Sequence, residues 1–248
     1  MFKDSFRFNW VNGIELNAVK HRTSSTECYY YRYYDPMEMH FVEKYLRKGD
    51  VFADVGANIG SWALFASSLG AKTVAIDPTP SMFKLIEDNI RLNPNIKNTL
   101  VPICCAVGKE EGTVKFRIDD DTRNCVIDPN DLEVCESIEV PVRTMDSMKE
   151  LKDVSVMKMD VERYELSALK GAGKILSESL NVLIIETFAS YPEVRKLLES
   201  FGFDEYIYDQ INNTLNKCRG RREGSNNKLF IKDADLARVR LGITENPF

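Results

Sequence analysis

Five apolar runs at residues 51–55, 73–77, 100–106, 154–160 and 182–187 alternate with helix-length amphipathic stretches at 60–69, 81–92, 162–176 and 192–200. This alternation is the feature that most constrains the fold. Strand, helix, strand repeats predict βαβ units and a parallel sheet with helices on both faces. The run VLIIE at 182–186 has no polar alternation, as expected of a strand covered on both sides. The chain ends differently. Residues 203–209 and 228–232 read as strands joined only by the polar loop QINNTLNKCRGRREGSNN, hence an antiparallel hairpin closing the sheet. An insert at 112–142 carries strand-like runs at 113–118 and 137–142, before a short helix near 145–151. The N-terminal fifty residues read as a strand pair followed by an amphipathic helix at 36–46. In CYYYRYYDP, residues 28–36, the tyrosines alternate as on a strand, and packing of a helix against the sheet is favoured over an open aromatic platform.

Composition narrows the function. A net charge of −5 over 248 residues argues against broad phosphate-backbone binding. The start, MFKDSFRFNW, carries charges where a signal peptide is apolar, and no window is long and apolar enough to span a membrane. A cytoplasmic protein is expected. Six cysteines form no CxxC pair and only two histidines exist, so free thiols are expected rather than a zinc site.

The first two strands carry the site signal. Asp54 and Asp77 fall at strand ends, where ligands bind in open parallel sheets. Gly56 and Gly60 bracket a tight turn into the first helix, and Asn58 suits a left-handed backbone. Asp77 lies about twenty residues past the loop, the spacing of a carboxylate that holds ribose hydroxyls. The loop GANIG is neither GxGxxG nor GxxxxGK[ST], which removes the dinucleotide and P-loop readings. A ligand with a ribose but no phosphate fits better, and S-adenosylmethionine is one, its ammonium group suiting the acidic end of the first strand.

With these stretches the sequence resembles the FkbM family of S-adenosylmethionine-dependent methyltransferases. The resemblance rests on DVGANIG at 54–60, IDP at 76–78, AVG with a following glycine at 106–112, and TMDS at 144–147. KMDVERYELSALKGA at 158–172 and LIIE at 183–186 complete it. It implies a class I, Rossmann-like seven-stranded sheet with its seventh strand antiparallel, and usually O-methylation. It also implies that Asp54, Gly56, Ala57, Asn58 and Gly60 hold the methionine part. Asp77, followed by Pro78, takes the ribose, and Cys105 and Ala106 sit near adenine. The expected division is an N-terminal extension packed on the core, residues 1–48, and a methyltransferase domain, 49–248. Two departures stand out: Asp77 where the family usually has Glu, and Arg163 where it commonly has glycine after DVE.

Lys158, Asp160 and Glu162 share one face of an extended segment at the end of the fourth strand. Asp160 suits the position nearest the methyl group or orientation of substrate, and Glu162 the general base. Lys158 needs an acidic partner, Asp160 or Glu186. Capping of the following helix is the competing account of Asp160 and Glu162, and capping or solvation of its turn that of Glu186. No ligand spacing marks a metal site, and His40 reads as structural. The expected substrate is a hydroxyl of a small molecule or glycan. The alternatives are an RNA methyltransferase, suggested by NIRLNPN at 89–95 and the basic run Lys217, Arg219, Arg221 and Arg222, and a non-catalytic cofactor-binding module, suggested by Arg163.

Overall fold

The computed structural model describes residues 5–20, 22–33, 35–118, 124–127, 135–187, 190–218 and 227–243. An antiparallel hairpin (β1, Ser5–Asn9; β2, Glu15–Val19) and two helices (α1, Thr23–Tyr31; α2, Pro36–Tyr45) precede the alternating core. The core runs β3 (Val51–Val55), α3 (Ser61–Ser68), β4 (Lys72–Ile76), α4 (Pro80–Leu92) and β5 (Leu100–Ile103). A small three-stranded sheet follows, from β6 (Ala106–Val107), β7 (Gly112–Arg117) and β8 (Ser137–Arg143). The chain returns through β9 (Val154–Met159), α5 (Glu165–Lys170), α6 (Gly173–Glu178), β10 (Val182–Glu186) and α7 (Tyr191–Ser200). It closes with β11 (Asp204–Asp209), β12 (Thr214–Lys217), β13 (Asn227–Ile231) and α8 (Ala234–Leu241).

The main sheet has the order β12-β11-β13-β10-β9-β3-β4-β5. From β10 to β5 every pairing is parallel, and β13 lies antiparallel between β10 and β11. This is a class I methyltransferase architecture with one strand more than the seven expected. The eighth is β12, formed inside the polar loop, where Leu215 pairs with Tyr208. The turn that allows it is local: Asp209 Oδ1 accepts from the backbone of Ile211 and Asn212, at 2.9 and 3.1 Å, and Asn213 adopts a left-handed φ of 48°. Arg219, Arg221 and Arg222 lie outside the described residues.

Alternation along each strand divides the core. Phe52, Ala75, Val156 and Ile184 face α2, α3 and α4, whereas Ala53, Met157, Leu183 and Ile185 face α6 and α7. Three elements depart from the sequence expectations. The run 100–106 is not one strand: it stops at Ile103, and Ala106 begins a strand of the small sheet. The stretch 162–176 is two helices, parted at Gly171, where a Cβ would meet the Gly108 carbonyl oxygen at 2.0 Å. The tyrosine stretch enters a helix, not a strand. α1 buries only the small residues Ser24, Ser25 and Cys28, while Tyr30 and Tyr31 are 71% and 72% exposed, so they do not pack on the sheet. Small buried residues carry no hydrophobic period by which to recognise such a helix. Expected and observed agree on α2, which His40 joins through stacking on Tyr208.

NIRLNPN also finds a structural use. Asn93 Oδ1 accepts from Glu15 N at 2.9 Å while its Nδ2 donates to Glu15 O at 2.8 Å. Asn89 does the same for Asn17, and donates to Ile59 O as well. Both amides are buried and tie β2 to α4 as a neighbouring strand would. Asn89→Ala strands a buried N–H and two carbonyls. It should cost about 2–3 kcal/mol and lower the melting temperature by roughly 5–10 °C, read by calorimetry.

Candidate active site

A cleft opens at the carboxyl ends of β3, β4 and β9, where ligands bind in open parallel sheets. Asp54, Gly56, Ala57, Asn58, Asp77, Pro78, Cys105, Ala106, Lys158, Asp160 and Glu162 all line it. Gly60 and Glu186 do not. Gly60 is the N-terminal cap of α3, and Glu186 stands beside the cleft at the end of β10.

The loop after β3 is held from three sides. Asn58 has a φ of 50°, the left-handed backbone expected of it. Asp77 Oδ2 accepts from Asn58 N at 2.9 Å and Oδ1 from Thr79 N at 2.8 Å. Asp54 Oδ2 accepts from Ala63 N at 2.9 Å, in the first turn of α3. Gly56 is required for a reason other than ligand approach: a Cβ there would lie 1.7 Å from the backbone oxygen of Asp160. The loop thus crosses the end of β9 at the closest distance a backbone permits.

Burial dominates the electrostatics. It pushes the Asp54 carboxyl up to about 7 and that of Asp77 up to about 6, against the backbone donors that favour the charged forms. Glu162 is raised to about 7 by burial and then by the charges of Asp160, Glu186 and Glu165. Glu186 is raised to about 7 by burial and then by Asp160. Among these carboxylates sits Lys158, 2% exposed, its Nζ 3.8 Å from Asp160 Oδ2, too far for a hydrogen bond. Burial disfavours its ammonium form, but Asp160, Asp35, Glu186 and Asp54 outweigh that and raise it. Asp160 Oδ1 is buried with no donor against it, and Glu186 hydrogen-bonds the Asp160 carboxylate once it carries a proton.

Neither Asp160 nor Glu162 caps α5. Glu165 serves that turn, its Oε1 accepting from Arg163 N at 3.0 Å. Glu162 and Arg163 both have positive φ, 48° and 73°. Arg163 therefore keeps the conformation that favours glycine, and the turn survives the substitution at a cost of about 1 kcal/mol. Arg163→Gly should raise the melting temperature by about 1–4 °C. It should also move the Glu162 titration above 7, because a cation that favours the carboxylate is gone.

Sequence reasoning missed Trp62, Phe116 and Val126 in the cleft wall. Phe116 and Val126 come from the insert, and nothing in their spacing announces that β7 folds over the cleft. The motifs TMDS and LKGA also acquire a role. Asp146 accepts from Lys174 N and Ile175 N, at 2.8 and 3.0 Å, and its own N–H donates to Gly171 O. They bind each other, not the cleft.

The model of the methyltransferase FkbM domain matches residues 54–205, more than half of the chain. The chain belongs to the FkbM methyltransferase family. It is an S-adenosylmethionine-dependent methyltransferase. It is 28% identical over 179 residues to the hexuronic acid methyltransferase AglP of Haloferax volcanii, covering 70% of this chain and 71% of that one. A shorter match, 38% over 58 residues, is to the ribosomal protein L11 methyltransferase of Thermotoga maritima, 23% of this chain and 22% of that protein. The crystal structure of an FkbM methyltransferase from Methylobacillus flagellatus shares the fold, with a TM-score of 0.53 and 18% identity. That match covers 75% of this chain and 44% of the other. No described helix is long and apolar enough to cross a membrane.

The cleft suits the family's cofactor. Asn58 Oδ1 and Asp160 Oδ1 are buried acceptors without donors, and Asp54 and Asp77 retain unused lone pairs. A surplus of acceptors fits a ligand that brings an ammonium, a sulfonium and two ribose hydroxyls.

Proposed function

We propose that the protein methylates a hydroxyl group of a small sugar-like molecule or glycan. The observation that carries this reading is the cluster of carboxylates formed by Asp160 and Glu162 in the cleft and Glu186 beside it, the two glutamates raised to about 7. A group titrating there is matched to take a proton from an alcohol near neutral pH. The same acidic wall disfavours a phosphate backbone, and with it a nucleic acid. The similarity to a hexuronic acid methyltransferase favours a sugar.

In this reading Asp54 and the backbone of residues 56–58 hold the amino-acid end of the cofactor, and Asp77 the ribose. Cys105, Ala106 and Phe116 form the wall for adenine. S-adenosylmethionine, when bound, supplies a methyl group already activated for displacement on a positively charged sulfur. The protein's part is alignment and proton removal. Glu162 takes the proton of the reacting hydroxyl as the new O–C bond forms and the methyl–sulfur bond breaks. Asp160 accepts a hydrogen bond from a neighbouring hydroxyl of the acceptor to orient it, and Lys158 steadies Asp160.

The test is calorimetric titration with S-adenosylhomocysteine, followed by a screen of sugar acceptors for methyl transfer. Asp77→Ala should weaken binding of the nucleoside by about 10–100-fold, the loss of hydrogen bonds to a charged acceptor. Unchanged affinity in that variant would remove Asp77 from the ribose site, and transfer only to non-hydroxyl acceptors would overturn the reaction assigned.

A further inference from the structure

Asp35 precedes α2 and lies outside residues 54–205, the part of the chain the family model matches. Its carboxylate joins two distant elements. Trp62 Nε1, on the cleft wall, donates to Oδ2 at 3.0 Å, and Asn227 Nδ2 donates to Oδ1 at 2.9 Å. Asn227 opens β13 and is the register partner of Glu186. The segment before α2 is therefore tied on one side to α3 and on the other to the strand beside Glu186, across the ends of β9 and β10. Beneath it lies the buried Lys158 Nζ, which has no hydrogen-bond partner.

We propose that Asp35 is a positioning residue of the methyl-transfer site: it pins the N-terminal segment across the acidic cluster and completes the charge set around Lys158 and Glu186. The proposal rests on the transfer site described above and adds to it a carboxylate from outside the matched domain. Bridging alone would need only acceptor atoms, and the charge has a separate use. Lys158 is faced by Asp160, Asp35, Glu186 and Asp54, so a buried ammonium stays charged. Glu186 is faced by Asp160, Lys158, Asp35 and Glu162, and the anions among them favour its proton. A protonated Glu186 donates to Asp160 and fixes the orientation of that carboxylate, while a charged Lys158 neutralises part of it.

The experiment is an NMR titration of side-chain ¹³C-labelled glutamates in the full chain, with the Glu186 signal assigned by its loss in Glu186→Gln. Asp35→Asn should lower the Glu186 midpoint, as removal of a nearby like charge does. The Glu162 midpoint, raised first by burial and then by Asp160, Glu186 and Glu165, should move less. Asp35→Glu should restore most of the shift. Trp62→Phe, which loses the tie on the α3 side but keeps the charge and the Asn227 tie that holds it beside Glu186, should lower stability and leave the Glu186 midpoint in place. An unmoved midpoint in folded Asp35→Asn, or an equal shift in Trp62→Phe, overturns the proposal. If Asp35→Asn does not fold, Asn227→Ala releases the carboxylate from β13. A lower Glu186 midpoint there supports the proposal, and an unchanged one defeats it. Calorimetry with S-adenosylhomocysteine separates the two levels: binding with an unmoved midpoint defeats the role of Asp35 alone, and absent binding defeats the transfer-site reading.

Discussion

Gly56→Ala is expected to abolish the folded cleft, with a loss of about 4 kcal/mol or more, in the range reserved for severe core defects. The added Cβ would lie 1.7 Å from the Asp160 backbone oxygen, and at a φ of 84° the alanine is strained even without that collision. No flexible side chain is available to yield. Relief requires β3 and β9 to separate, and Asp160 N donates to Val55 O at 2.8 Å at that point. The loop carrying Asn58 would move with it. Thermal unfolding and S-adenosylhomocysteine titration read the two consequences together. A variant with wild-type melting temperature and affinity would show that the crossing has room the distances deny.

The second large effect concerns turnover. Glu162→Gln keeps the shape and the left-handed backbone of the turn but removes the proposed base. It should lower kcat by about 10²–10⁴-fold once an acceptor is in hand. In the wild type, kcat/KM should rise as pH increases through about 7, because the carboxyl raised to that value must lose its proton to act. Glu162→Gln should flatten this rise. Cofactor affinity should change little, since the loop that holds the cofactor is built by Asp54 and Asp77. A variant that keeps both turnover and the pH profile would transfer the base role to Glu186.

The parallel core was legible because it is written in local periods. Residues 51–55 and the neighbourhood of 73–77 are short apolar runs bounded by Asp and Gly, and β3 and β4 formed within one residue of the expected bounds. The left-handed Asn58 followed from the same reasoning, since a turn of one loop depends on the residues of that loop. The structural use of NIRLNPN was not legible, because asparagine amides can mimic a strand edge and only the folded chain reveals that β2 is the partner of Asn89 and Asn93. Arg163 looked like a defect in sequence, yet the turn around it keeps the glycine-like backbone.

The sequence by itself determined the alternation of strands and helices in the parallel core, the two carboxylates at the ends of β3 and β4, and the family that uses them. The tertiary structure alone decided that Phe116 and Val126 from the insert reach the cleft, that β12 adds an eighth strand, and that Asp35 joins Trp62 to Asn227. The physical reason is range. Periodicity and turn chemistry act over a few residues, whereas a hydrogen bond between positions 35 and 227 or a contact between Gly56 and Asp160 exists only after the sheet has brought them together.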